Sequence, residues 1–135
     1  MKVDSIINGI VIDHIAPGKA MKLYELLKLD SLDCSVALIQ NAPSEVMGRK
    51  DIIKIDSRFD VNLDVIGYVS PHVTVNIIEN GVITEKKHIE LPEKLTNILR
   101  CRNPRCISST EQDLEHVFLL DSKGDYRCIY CDTKA

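Results

Sequence analysis

Apolar positions along this chain follow two rhythms, and the switches between them mark out the elements. Ile6 to Ile15 is β-branched and apolar, which predicts a strand. Pro17-Gly18 breaks it, and Pro17 suits the start of a helix, where a missing N–H costs least. From Lys19 to Leu29, the residues Ala20, Leu23, Tyr24 and Leu27 share one helical face. Ser35 to Gln40 predicts a second strand. Asp51 to Ile55 predicts a third, with Ile53 and Ile55 on one side and Ile52 and Lys54 on the other. Val61 to Val69 predicts a weaker helix that Pro71 ends. His72 to Glu79 alternates again, with Val73, Val75 and Ile77 on one face. Asn80-Gly81 then signals a hairpin, since both residues tolerate the positive φ of a type I′ turn. Val82 to Ile89 returns as the partner strand. The order β-α-β-β-α-β-β predicts an α+β fold, a ferredoxin-like sandwich with one added hairpin strand.

The pattern changes at Leu91-Pro92-Glu93. Leu95, Ile98 and Leu99 fall at helical spacing, so residues 93–100 read as a connector helix or linker. Of the five cysteines, Cys34 alone precedes this point. The expected organisation is an α+β domain over 1–92, the connector over 93–100, and a small β-rich cysteine domain over 101–135.

Cys101-x4-Cys106 and Cys128-x2-Cys131 form two pairs separated by 21 residues. A short loop lets both of its thiolates face one ion, and two such loops complete a tetrahedron, the preference of zinc. Four protein thiolates leave no open coordination position, so one structural zinc per chain is expected. So short a tail has little core, and the metal should supply folding free energy. Four scattered core cysteines would not fall into such pairs. A redox pair in Cys128 and Cys131 would leave Cys101 and Cys106 unexplained. A zinc deaminase would need a His-x-Glu segment that Glu115-His116 does not supply. His116 is expected on the surface of a long loop, and Cys34 as a buried small hydrophobe.

Composition narrows the function. At 44% hydrophobic the chain can bury a core, while a net charge of −3 and 4% aromatic content argue against a general nucleic-acid binder. A zinc-ribbon nucleic-acid binder would need a basic tail. From Cys101 onward, Arg102, Arg105, Lys123, Arg127 and Lys134 are outnumbered by Glu111, Asp113, Glu115, Asp121, Asp125 and Asp132. No apolar run approaches the roughly 20 residues of a membrane span. Met1-Lys2-Val3-Asp4 does not begin a signal peptide, so a cytoplasmic chain is the default, where clustered cysteines hold metals more often than disulfides.

Charges gather at strand ends in the first domain. Asp13-His14 closes the first strand, Arg49-Lys50-Asp51-Ile52-Ile53-Lys54 carries three cations, and Lys86-Lys87 lies in the last strand. These residues have two readings. Charged strand ends are commonly solvated edges that resist aggregation. The same cations could form a basic pocket for a phosphorylated ligand. Neither a P-loop nor a Gly-x-Gly-x-x-Gly is present, and no nucleophile–base pair that would suit a standalone enzyme is found.

Several segments together resemble one family. They are Gly9-Ile10-Val11-Ile12-Asp13-His14-Ile15, Met47 to Ile55, Thr74-Val75-Asn76, Leu91-Pro92-Glu93, Cys101-x4-Cys106-Ile107-Ser108 and Cys128-x-Tyr130-Cys131. In that order and cysteine spacing, the chain resembles the aspartate carbamoyltransferase regulatory chain. The resemblance implies a non-catalytic regulatory subunit in pyrimidine biosynthesis. It implies an allosteric domain that forms homodimers and binds CTP, UTP and ATP, and a zinc domain that docks on a separate catalytic chain. Carried over by position, the nucleotide site would use Val3, Asp4 and Ile6 near the base, and Asp13 at the ribose. Lys54 and Lys86 would face ribose and phosphates. Asn76, Ile78 and Ile83 would line the base and ribose pocket, with His14 and Lys50 at its edge and Ile52 packed nearby. Gly81 stands where some members have an aromatic residue. The stretch ahead of Val3 is short, in a region some members use for a second, metal-bridged nucleotide.

Overall fold

The computed structural model describes residues 6–58 and 61–135. Two compact units result, Met1–Leu91 and Pro92–Ala135.

In the first unit β1 (Gly9–Ile15), α1 (Ala20–Leu26), β2 (Val36–Ser44), β3 (Gly48–Ile55), α2 (Leu63–Val69), β4 (Thr74–Glu79) and β5 (Val82–His88) follow in turn, with a 3-10 turn at Leu29–Ser31. The strands pair in the order β2-β3-β1-β4-β5, every neighbour antiparallel. This is the ferredoxin-like order with β5 added at the β4 edge, as the alternation of elements predicts. One face of the sheet carries Ile10, Ile12, Ile53, Ile55 and Val75, all buried. Against it lie Ala20 and Leu23 of α1 and Val65, Ile66 and Val69 of α2, with α1 touching α2, β2 and β3. Each such apolar side chain contributes about 1.5–3 kcal/mol when fully buried.

Local chemistry sets the ends of these elements. The Asn62 Oδ1 caps α2, accepting the N–H groups of Asp64 and Val65 at 3.1 and 3.3 Å. Asn80 and Gly81 take φ of 53° and 79°, the type I′ geometry expected of the hairpin. α1 starts at Ala20, three residues after Pro17, because Pro17-Gly18 forms a turn in which Gly18 has φ 88°. Gly9 crosses so close to the Ile55 carbonyl that a Cβ there would overlap it. The first strand begins at Gly9 and not at Ile6. Cys34 is half-buried, not buried as expected.

The second unit contains β6 (Lys94–Thr96), the single-turn α3 (Ile107–Thr110), β7 (Val117–Leu120) and β8 (Tyr126–Cys128), with a sheet ordered β6-β7-β8. Within the stretch 93–100, expected as a connector helix or linker, Lys94–Thr96 forms a strand of this unit's sheet. Leu95 pairs with Phe118, and both are buried, with Val117 and Tyr126 completing a small core. Asn97 then takes φ 57° and ends the strand. No helix among the described residues is long and apolar enough to cross a membrane.

Candidate functional site

Two side-chain constellations stand out, one in each unit. In the second unit, Cys101, Cys106, Cys128 and Cys131 bring their four Sγ atoms within 4.8 Å of one another. Two knuckles achieve this. In the first, Asn103 closes the loop: its Oδ1 accepts the Arg105 N–H at 3.0 Å, and its carbonyl accepts the Cys106 N–H at 3.1 Å and the Ser109 hydroxyl at 2.8 Å. In the second, Cys128 ends β8, its carbonyl accepts the Asp132 N–H at 2.9 Å, and Asp132 turns with φ 64°.

The sulfur spacing suits a tetrahedral ion. Cys101 and Cys131 are 3.5 Å apart, and Cys106 and Cys128 3.7 Å. A zinc tetrahedron with bonds of about 2.3 Å has sulfur–sulfur edges of about 3.8 Å. Burial pushes the Cys101 thiol up to about 12. Hydrogen bonding to the Thr133 hydroxyl and backbone holds Cys131 down to about 6. Four thiolates so close together need a cation among them, and a divalent ion would supply that charge. The Ser108 hydroxyl sits 3.0 Å from Cys106 Sγ, and the Thr133 hydroxyl 3.1 Å from Cys131 Sγ. Such outer partners orient metal-binding sulfurs. Asn103 and Thr133 escaped the sequence reading. A hydroxyl residue two positions after a cysteine, at Ser108 and Thr133, was the available signal.

Beside this centre, a cavity of about 630 Å³ is lined in part by Arg100, Ser109, Glu111, Asp113 and His116. His116 is half-buried, and its Nδ1 is buried without a partner among the described residues. This corrects the expectation of a surface histidine. The Asn97 Oδ1 accepts the His116 N–H at 2.9 Å and pins that loop down.

In the first unit, the strand register assembles a row across the sheet. Lys54 of β3 pairs with Val11 of β1, Val11 with Asn76 of β4, and Asn76 with Lys86 of β5. Directly paired residues project to the same side, so this row lies on the face opposite the buried Ile12, Ile53 and Val75. Ile52 and Lys50 share it by alternation along β3, and Ile78 along β4, where it pairs with Ile83. Lys50 Nζ meets Asp13 at 3.0 Å, and Asp13 also accepts the His14 N–H at 2.7 Å. Among the described residues, Lys54 and Lys86 have no carboxylate partner. Asn76 is only 8% exposed, yet among the described residues its Oδ1 has no hydrogen-bond partner, and neither does the buried His14 Nδ1. Buried polar atoms are rarely left so.

The other expected site residues are less closely gathered. Ile83 is exposed on β5, and Ile6 is half-buried ahead of β1. Val3 and Asp4 lie outside the described residues.

Both units match known families. Residues 1–90 fit the family model for the aspartate carbamoyltransferase regulatory chain, allosteric domain, and residues 93–135 the model for its metal binding domain. Relatives named aspartate carbamoyltransferase regulatory chain match nearly end to end. One from Clostridium botulinum is 45% identical over 134 residues, covering 98% of this chain and 92% of the relative. One from Clostridium tetani is 46% identical over 135 residues, covering 98% and 94%. One from Bifidobacterium longum is 44% identical over 137 residues, covering 100% and 99%. With an allosteric domain, a metal-binding domain and these relatives along its whole length, the chain belongs to the aspartate carbamoyltransferase regulatory chain family and is a regulatory, not a catalytic, chain.

Proposed function

We propose that this chain senses nucleotides for aspartate carbamoyltransferase in the cytoplasm. The outer face of its five-stranded sheet binds nucleoside triphosphates, with CTP, UTP and ATP as the effectors of pyrimidine biosynthesis. The chain forms homodimers through the allosteric domain. Its four-cysteine unit holds one structural zinc and docks on a separate catalytic chain.

The row Lys54, Val11, Asn76 and Lys86 carries this reading. Among the described residues, two lysines without carboxylate partners flank a buried amide oxygen that lacks a donor. A triphosphate would meet the lysines. The exocyclic amine of CTP or ATP, or the N3–H of UTP, would satisfy the Asn76 Oδ1, and ribose hydroxyls would reach Asp13. Solvated strand ends explain lysines at an edge, but they do not explain a buried, unsatisfied Asn76 in the middle of the sheet.

No step of catalysis belongs to this chain. Its residues bind, and a ligand changes the partner only by its differential affinity for two states of the complex. The zinc, when bound, holds the four-cysteine fold together and supplies no reaction chemistry there. Cys101, Cys106, Cys128 and Cys131 would be its ligands.

Calorimetry of CTP and ATP binding to the purified complex tests the nucleotide site. Lys54→Ala should weaken both nucleotides together by about 10- to 150-fold, since a charge-assisted hydrogen bond is worth about 1.5–3 kcal/mol. Unchanged affinity in that variant would count decisively against the assignment.

A further inference from the structure

We infer that Asp51 is a positioning residue for this face: its buried carboxylate holds two β-bulges in place, and through them it aims the Asp13–Lys50 pair at a bound nucleotide. The inference rests on the nucleotide reading above.

Strand register reveals the bulges. Between β1 and β3, Ile12 pairs with Ile53, but the next pair is Ile15 with Asp51. β1 therefore carries one residue more than β3 over that span. On the other flank of β3, Ile39 pairs with Ile52, and the next pair is Ala42 with Lys50, so β2 also carries one extra. Each extra residue comes with a left-handed backbone, His14 at φ 59° and Asn41 at φ 58°. Non-glycine residues hold such conformations only where their surroundings impose them. Bulges re-aim side chains.

Asp51 sits on β3 between the two. Its side chain is fully buried, on the helix-facing side of the sheet. The Asp51 Oδ1 accepts the Asn41 N–H at 3.0 Å, which fastens the β2 bulge directly. The Asp51 Oδ2 accepts the N–H groups of Gly18 at 2.9 Å and Ala20 at 3.3 Å. These fasten the turn that leaves β1 just after its bulge. A buried carboxylate is tolerated only with such donors, so its position is closely defined. Its neighbours along the strand, Lys50 and Ile52, project to the opposite face, where Lys50 meets Asp13 at 3.0 Å. Asp13 itself lies inside the β1 bulge. A shift of the carboxylate would move both halves of this pair relative to Lys54 and Asn76.

A double-mutant cycle separates positioning from mere packing. CTP affinity would be measured by calorimetry on the purified complex carrying wild-type chain, Asp51→Asn, Lys50→Met, or both. Asp51→Asn should weaken CTP about 5-fold or more, and the double variant should be no weaker than Lys50→Met alone. Effects that multiply in the double variant, or an unchanged affinity in Asp51→Asn, would overturn the inference. If Asp51→Asn does not assemble, hydrogen exchange on the wild-type complex takes its place. CTP should then slow exchange of the Asn41 and Gly18 amides at least 5-fold more than that of the Ile66 amide inside α2. Equal slowing, or none, would overturn it too. A wild-type complex that binds no CTP would sink the nucleotide reading and this inference together. CTP binding with a multiplicative cycle would sink this inference alone.

Discussion

Gly9 shows how much one residue can decide. A Cβ at this position would run into the Ile55 backbone carbonyl, and neither backbone can give way within a paired sheet. Gly9→Ala should therefore destabilise the first unit by about 1–3 kcal/mol, the range for overpacked sites, as read from denaturant unfolding of the purified chain. Asp121 sets a different local condition in the second unit. Its carboxylate is held below the usual range by the Asp125 N–H and by Arg127, whose Nε lies 2.9 Å away. A depressed carboxyl stabilises the fold above its unfolded value, about 4, and that contribution is lost as pH falls through the folded value. Asp121→Asn should thus lower stability between about pH 6 and 8, where the carboxylate is charged and the thiolates keep their metal, as read from denaturant unfolding; stability equal to wild type there would show that the carboxylate charge is not what matters. Neither residue was singled out from the sequence. A glycine at a strand start and an acid in a turn are common; Gly9 gains its weight from the distant Ile55 carbonyl, and Asp121 from the donors of its own turn and from Arg127.

At the scale of elements, alternation was the most legible signal. Ile53 and Ile55 against Ile52 and Lys54 gave the inner and outer faces of β3, and Asn80-Gly81 gave the hairpin with the turn it takes. β6 was not foreseen within the stretch expected as a connector helix or linker, because Leu95, Ile98 and Leu99 also fit a helical face. What decides is Phe118, the partner of Leu95 in a strand far along the chain, and local spacing cannot report it. Leu95→Ala should cost the second unit about 2–5 kcal/mol, the usual range for an emptied core site, and leave the first unit's unfolding transition unmoved. The bulges at His14 and Asn41 were equally hidden, because a bulge belongs to a pair of strands and not to either one. The cysteine pairs were legible for the opposite reason: each knuckle is local, and only their meeting is long-range. On the outer face of the sheet, resemblance supplied Lys54, Asn76 and Lys86, and strand register explains why residues so far apart fall in one row.

The whole molecule joins an allosteric domain to a metal-binding domain, and each half makes its own prediction. The small core of Leu95, Val117, Phe118 and Tyr126 gives the second unit little stability apart from its metal. A thiol-reactive mercurial should eject one zinc per chain, unfold that unit and release the chain from its catalytic partner. Elemental analysis that finds no metal in native protein would contradict this. The central claim is that nucleotide binding on the sheet biases a two-state equilibrium of the complex. Coupling of about 1–3 kcal/mol, or roughly 5–150-fold in affinity, needs only a few altered contacts, and it must be reciprocal. The most direct test is to titrate CTP into the complex with and without a bisubstrate analogue on the catalytic chain. CTP affinity should change by the same factor by which CTP changes the affinity for the analogue. Identical CTP affinities, in a complex whose activity does respond to CTP, would contradict the account.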